Sequence, residues 1–295
     1  MDGSRLRLLT LNTGLFRLRI GPWSFLDPIP HTAARIHHIA DAVRVHQPDV
    51  IAFQEVFADR DLDRLHNELA ADYPHYASSR DHIPSPRIRA HSGLCVFSRF
   101  PLKNQRHEMF QDTSLDERLF VGRGFLAANV ESPIGVVSVF NMHLTSGGIF
   151  RDPRGAAFVG IRNNQVDQLT AAGNAATSPI RIILGDLNAG PAVSEENYAR
   201  VLANGFRDSW DLHPETITRL KHVTWENANP LTGRELHKTE APQRIDHIFL
   251  HPDTLNHVTV GRAEIVLHEP RVMTPRGLVT VSDHYGVLVD LEKKI

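Results

Sequence analysis

A single cysteine, Cys95, occurs among 295 residues, so no intrachain disulfide can form and an oxidising compartment is neither required nor excluded. Its flanks, Gly93-Leu94 and Val96-Phe97, mark it as a small buried residue rather than a nucleophile. An excess of one charge is lacking as well. Thirty-two basic against 34 acidic side chains leave a formal charge of −2, which argues against gripping duplex DNA by a net positive field, although a local basic face fits within that balance. No apolar run reaches the roughly 20 residues of a membrane-crossing helix, so no transmembrane segment is expected. The start, Met1-Asp2-Gly3-Ser4, lacks the basic and apolar stretches of a secretory leader, which places the chain in the cytoplasm unless a leader has been removed. There is no repeat, no low-complexity tract and no Ser/Gly/Pro linker, so residues 1–295 are expected to form one domain. The Gly-x-Ser-x-Gly, His-Glu-x-x-His, Cys-x-x-Cys and Walker signatures are all missing, which removes the usual grounds for serine-hydrolase, zinc-protease, redox and P-loop chemistry.

What is present is an alternation of short apolar runs with helical patterns. Runs at 6–11 and 50–54 flank a helical stretch at 32–46, in which Ala33, Ile36, Ile39, Ala40 and Val43 form an apolar stripe and Arg35, His38 and Asp41 fall on the wet side. A second helix is expected near 59–71. His31, His37 and His38 fall on the first helical stretch at a spacing that suits a solvated face better than a metal site. The middle differs: 93–98, 124–131 and 134–143 follow one another with no helix between the last two, which predicts antiparallel pairing through a turn at Pro133-Ile134-Gly135. Helices near 155–175 and 194–203 and strands near 180–185, 245–250, 257–267 and 286–291 complete the pattern. Two long polar connections, 14–30 and 224–243, have the length and composition of functional loops.

Polar residues of catalytic type cluster at the ends of the apolar runs. Asn12 ends the first, Glu55 the second, His143 the one at 136–142, and Asp186 and Asn188 follow 180–184. Asp246 lies within 244–250, and Asp283-His284 stands near the C-terminus. Strand ends converge when strands lie side by side, which is how a sheet assembles a site from distant positions. A carboxylate such as Glu55 at the end of a buried run is costly unless a cation compensates it, and hard donors such as Glu55 and the Asn12 amide suit Mg²⁺ or Ca²⁺ better than zinc. Asp186 can accept a proton or hold metal, or simply close an Asx turn. Asp246 and His284 have the makings of an orienter and a base, with water as nucleophile, and His143 is suited to hydrogen-bonding a phosphoryl oxygen.

Taken in order, LTLN (9–12), FQEV (53–56), SGLCVFSRFPL (92–102), NMHL (141–144), GDLN (185–188), RIDHIF (244–249) and SDHYG (282–286) resemble the endonuclease/exonuclease/phosphatase superfamily over nearly the whole chain. The resemblance implies an α/β (α+β) four-layer sandwich, two packed and mostly antiparallel sheets flanked by helices in the DNase I-like manner. It also implies phosphoester hydrolysis with Mg²⁺, or with Mn²⁺ or Ca²⁺ in its place. Asn12 and Glu55 would hold the metal with support from Asp283; His143 and Asn188 would contact the phosphoryl group. Asp186 would orient or activate the water, and Asp246 would pair with His284.

Within the superfamily, Asp116-Glu117-Arg118-Leu119-Phe120-Val121-Gly122-Arg123-Gly124 resembles the Asp-Trp-Phe-x-Gly-Lys-Gly segment of the neutral sphingomyelinase branch, with Arg123 in place of lysine as a phosphate-binding side chain. Thr224-Trp225-Glu226-Asn227-Ala228-Asn229-Pro230-Leu231 resembles a second segment of that branch. The implied substrate is a phosphoester, foremost a phospholipid headgroup such as that of sphingomyelin. A nuclease of the DNase or abasic-site type, or a soluble phosphomonoesterase, stays open on the same fold, whereas a non-catalytic relative is disfavoured because no expected catalytic position is lost. The connection at 15–30 carries Phe16, Trp23, Phe25 and Ile29, and that at 147–155 carries Ile149 and Phe150. Both follow catalytic strands, so Trp23 and Phe150 are expected to meet a lipid substrate or a membrane surface.

Overall fold

The first strand, β1 (Arg5–Asn12), shows how the molecule is layered. Leu6 and Leu8 join one buried cluster and Leu9 and Leu11 another, as expected of a strand whose two faces are both covered. In the computed structural model, residues 4–16, 18–20, 23–26, 29–82, 90–146, 155–213, 221–232, 240–275 and 277–294 are described, with the backbone alone for 18–20, 23–26, 116 and 120. After β1 come a small hairpin, β2 (Leu18–Ile20) and β3 (Trp23–Leu26), then α1 (Thr32–His46), β4 (Val50–Gln54), α2 (Asp59–Leu69), β5 (His75–Ser78) and β6 (Cys95–Ser98). The middle of the chain supplies β7 (Leu102–Met109), α3 (Leu115–Phe120), β8 (Gly124–Ser132), β9 (Gly135–His143), α4 (Ala156–Ala175) and β10 (Ile180–Asp186). The last part holds α5 (Glu195–Ala203), β11 (Arg207–Asp208), α6 (Ser209–Leu212), β12 (Asp246–Leu250), β13 (Val258–Val266), the hairpin β14 (Val272–Thr274) and β15 (Gly277–Val279), and β16 (Gly286–Lys293).

Two six-stranded sheets form, in the orders β13-β16-β1-β4-β6-β5 and β11-β12-β10-β9-β8-β7. Each has a single parallel pair, β1 with β4 and β9 with β10, because α1 and α4 are the crossovers that parallel neighbours require. All other pairs in the two sheets are antiparallel, including β8 with β9 across the two-residue turn Pro133-Ile134, after which Gly135 takes a φ of 120° that a side chain would resist.

The sheets pack face to face through Leu6, Leu8, Val50 and Val289 on one side and Val137, Val139, Ile182 and Ile248 on the other. The outer face of the first sheet buries Ile36, Ile39, Val43, Leu62 and Leu65 of α1 and α2; that of the second buries Val166, Leu169, Tyr198 and Val201 of α4 and α5. Helix, sheet, sheet and helix make the four-layer DNase I-like sandwich that the sequence motifs implied.

Several local expectations change. Arg35 lies on the buried face of α1 and is fully inaccessible, whereas Ala33 is exposed; a charge suggests the wet side, but residue 35 shares the face of Ile36 and Ile39. The stretch 14–30 is not a bare loop, since it holds the β2–β3 hairpin. Cys95 is buried, as its neighbours predicted, and burial pushes its thiol up, away from the thiolate. His37 is on a solvated face, paired with Glu68.

Candidate active site

The register of the sheets brings the catalytic-type residues to one end of the sandwich. Parallel pairing aligns the C-terminal ends of β1 and β4, with Asn12 opposite Gln54, and those of β9 and β10, with His143 opposite Asp186. Antiparallel pairing turns the starts of β12 and β16 to the same end: Asp246 stands opposite Asp186, and Gly286, two residues after His284, begins the strand beside β1.

There the side chains meet. The Asn12 Nδ2 amide donates to Asp186 Oδ2 at 2.9 Å, and the backbone N–H of Asn188 donates to Asp186 Oδ1 at 2.8 Å, so Asp186 closes an Asx turn while facing the cluster. His284 Nδ1 donates to Asp246 Oδ2 at 2.9 Å, which orients the ring and leaves Nε2 out of that bond. One ligand-type atom from each of Asp186, Asp246 and His284 lies within 4.8 Å of the others. Burial, followed by the neighbouring Asp246, raises the Asp186 pKa despite the opposing His284 cation and the Asn12 amide. Burial disfavours the His284 cation, but Asp246, Asp283 and Asp186 outweigh it and hold its pKa well above the ordinary value.

His143 Nε2 sits 3.4 Å from Asp186 Oδ2 and 3.9 Å from Glu55 Oε1. Burial pushes its pKa well down, with Arg123 and His284 adding to the effect, so the ring is neutral and can donate from Nε2. Glu55 follows β4 with a left-handed φ of 63°, and burial, then Asp283, raises its carboxyl despite His284, Arg123 and Asn12. Asp283 lies beside Gly14, where an added Cβ would come within 2.4 Å of its Oδ1. A glycine at 14, with φ of 56°, is therefore what lets the backbone approach this carboxylate.

Arg123 donates from Nε to Glu117 Oε1 at 2.8 Å, and its buried Nη1 has no hydrogen-bond partner among the described residues. Asn188 turns its Nδ2 to the Leu144 carbonyl at 2.9 Å, which commits one of its N–H groups to the backbone. The Trp23 side chain and Phe150 lie outside the described residues.

The donor set fits a hard divalent cation. Glu55, Asp283 and the Asn12 Oδ1 are oxygen donors, the Glu55 charge is disfavoured as it stands, and Asp246 Oδ1 is a buried acceptor with no partner among the described residues. The last of these lies beside His284 and extends the oxygen-rich surface of the cluster.

Supporting residues that residue patterns did not single out hold these groups. Thr224 Oγ1 accepts the backbone N–H groups of Ile245 at 3.0 Å and Asp246 at 3.1 Å, while Asn229 Nδ2 donates to the carbonyls of Ser282 at 3.0 Å and Asp283 at 3.2 Å. Behind Arg123, Glu117 Oε2 accepts from Thr145 Oγ1 at 2.6 Å, and Gln165 Nε2 donates to the same hydroxyl at 2.8 Å. Beneath Glu55, Gln54 Nε2 donates to Asn141 Oδ1 at 2.7 Å and joins the two sheets. Thr224, Asn229, Glu117, Gln54 and Asn141 lie in segments with motif likeness, though no residue pattern gave them these roles; polar residues such as Thr145 and Gln165 sit in no pattern that marks them.

The model of the Endonuclease/Exonuclease/phosphatase family matches residues 9–284. No curated protein matches the chain. Among solved structures, a double mutant of beta toxin from Staphylococcus aureus with bound magnesium ions superposes with a TM-score of 0.77 at 20% identity, covering 99% of this chain and 100% of that one. Sphingomyelinase C from Streptomyces griseocarneus gives 0.71 at 22% identity over 97% of this chain and 99% of that one. Truncated TDP2 from Caenorhabditis elegans gives 0.67 at 18% identity over 98% of each chain.

Proposed function

The chain belongs to the endonuclease/exonuclease/phosphatase family, and on that premise we propose that it is a Mg²⁺-dependent phosphodiesterase releasing the headgroup of sphingomyelin or a similar phospholipid. The observation that carries the chemistry is the buried cluster in which Asp186, Asp246 and His284 present their reactive atoms within 4.8 Å of one another. Glu55, Asn12 and Asp283 would hold the metal, as supported by their oxygen donors and by the magnesium bound in the beta toxin structure. Mn²⁺ or Ca²⁺ would fit the same donors. Bound there, the cation would neutralise phosphoester charge and stabilise the departing oxygen.

The chain's own residues divide the remaining work. Asp186, its pKa raised by burial, takes a proton from water as the water oxygen bonds to phosphorus. The bond from phosphorus to the ester oxygen breaks on the opposite side, and the departing oxygen takes a proton from solvent. With Asp186 taking the proton, the His284 cation, held by Asp246, is assigned to hydrogen-bond a non-bridging oxygen. Neutral His143 donates to the same phosphoryl group, and the unpaired Arg123 Nη1 supplies a further donor.

The lipid substrate is supported by where apolar side chains are exposed. Among the described residues the large exposed hydrophobics are Val45, Leu115, Leu119, Val136, Met273 and Leu278. Two of these six, Leu115 and Leu119, belong to the catalytic end. Leu115 and Leu119 lie on α3, between the end of β7 and the start of β8, where Met109 pairs with Gly124 and Phe125 with Met142 beside His143. Met273 and Leu278 pair across the β14–β15 hairpin, which packs on α1. Exposed apolar side chains of this kind suit peripheral contact with a membrane.

A panel of sphingomyelin vesicles, lysophospholipid, inositol phosphates, and supercoiled and abasic DNA, each with Mg²⁺ and with chelator, tests the proposal. Mg²⁺-dependent headgroup release in excess of all other activities is expected; preferential cleavage of DNA or of inositol phosphates would replace the lipid reading with a nuclease or phosphomonoesterase.

A further inference from the structure

Arg35 is a fully buried cation used by none of the chemistry above. From α1 its guanidinium reaches three separate segments. Nε donates to the Pro30 carbonyl at 3.0 Å, Nη1 to the carbonyls of Thr13 and Val281, each at 2.8 Å, and Nη2 to that of Gly14 at 2.5 Å. Thr13 and Gly14 directly follow Asn12, and Val281 precedes Ser282, Asp283 and His284 by one to three residues. Pro30 closes the connection that begins at Leu15 and holds the β2–β3 hairpin.

The segments joined this way are themselves in contact at the site. Ser282 Oγ donates to the Asn12 carbonyl at 2.6 Å, and Gly14 is seated against Asp283. Thr13 donates from Oγ1 to the Gln54 carbonyl at 2.7 Å, which carries the same frame to the residue before Glu55. A planar fork that binds several carbonyls at once fixes their separations, which the single ammonium of lysine cannot do.

We propose that Arg35 is a positioning residue that sets the spacing between Asn12 and the Asp283–His284 turn. It does so through four backbone carbonyls rather than by touching substrate. The inference rests on the assignment of Asn12 and Asp283 as metal-holding groups, but its structural half stands apart from that assignment. The surrounding core is built from apolar contacts of α1 that do not involve the guanidinium, such as those of Ile36, Ile39 and Val43. Loss of the fork should therefore loosen two loops, not the sandwich.

The test compares the full-length wild type with Arg35→Lys and with Arg7→Lys. Arg7 is the control because it donates to Asp290 and to the His46 carbonyl at the far end of the same strand. Amide exchange in peptides covering 12–16 and 280–286 should quicken at least tenfold in Arg35→Lys and stay at the wild-type rate in Arg7→Lys. On a soluble chromogenic phosphodiester, kcat should fall roughly 10- to 100-fold with KM little changed, and calorimetric Mg²⁺ affinity should fall by about tenfold. Unaltered exchange in the two segments would overturn the proposal, as would loss of cooperative unfolding in Arg35→Lys, which would make Arg35 a support of the whole fold. If the wild type itself binds no Mg²⁺, the metal assignment fails, while exchange and kcat still decide the positioning role.

Discussion

On the proposed roles, Asp186 and His284 would set the pH dependence of the reaction in opposite senses. Asp186 must be ionised to take a proton, so kcat/KM should rise as pH passes upward through its raised pKa; His284 must keep its proton, so activity should fall again above its own raised value. The His284 cation holds the Asp186 pKa down, and His284→Gln should therefore move the acid limb to higher pH while lowering the rate by roughly 10² to 10⁴. An acid limb that stays in place, followed in a pH series of initial rates, would show that Asp186 does not titrate beside His284. Asp246→Asn and His284→Gln should also fail to multiply: the double variant is expected to lose little more than the worse single one.

At this scale the site was legible because each group ends or begins an apolar run, as Asn12, Glu55 and His143 do, and only positions at strand ends can converge. What the sequence left hidden were groups that act through a second side chain, such as Thr145 beside Glu117 and Gln165 beside Thr145, because short-range spacing carries no trace of a bond between residues far apart in the chain.

Single elements stand or fall on polar contacts as well as on apolar burial. The short segment β11–α6 is tied to β12 by Asp208, which accepts from Arg244 Nη1 at 2.5 Å and His247 Nδ1 at 2.9 Å and caps α6 through the Trp210 N–H at 3.0 Å. Burial works against this carboxylate, but His247 and Arg244 outweigh it and hold its pKa far below the usual range. A depressed folded-state pKa contributes stability above the unfolded value of about 3.9, and the contribution is lost as pH falls through the folded value. Asp208→Asn should then cost roughly 3 kcal/mol at neutral pH and flatten the loss of stability below about pH 4. Urea titrations at several pH values measure both effects, and equal slopes in acid for the two proteins would refute the assignment.

The elements that residue patterns foretold are those with two apolar faces or a clear stripe, among them β1, β4, β9, β10, α1 and α4. The edge strand β7 escaped notice because Lys103, Asn104, Gln105 and Arg106 face solvent in sequence, leaving no period of two to read. Strand β5 and helix α3 are too short to show a period, and Arg35 was misplaced because its partners are carbonyls of other segments.

At the scale of the whole molecule, no helix among the described residues is long and apolar enough to cross a membrane, so contact with lipid would depend on exposed side chains such as Leu115, Leu119, Met273 and Leu278. Met273→Ser combined with Leu278→Ser should weaken sedimentation with sphingomyelin vesicles and slow hydrolysis of vesicle lipid several-fold, leaving a soluble phosphodiester unaffected. Equal losses on both substrates would mean that the hairpin supports the site rather than the membrane contact. The fold itself was readable at this scale from motif order, since seven segments in the right succession fix which strands must share an end.

Whether the strand-end cluster is a cation-dependent hydrolytic site is tested most directly by initial rates on a soluble phosphodiester against Mg²⁺ concentration, for the wild type and Glu55→Gln. Saturable activation abolished by chelator is predicted for the wild type, with Glu55→Gln inactive at the concentration that saturates it. Full activity of Glu55→Gln in excess chelator would contradict the account.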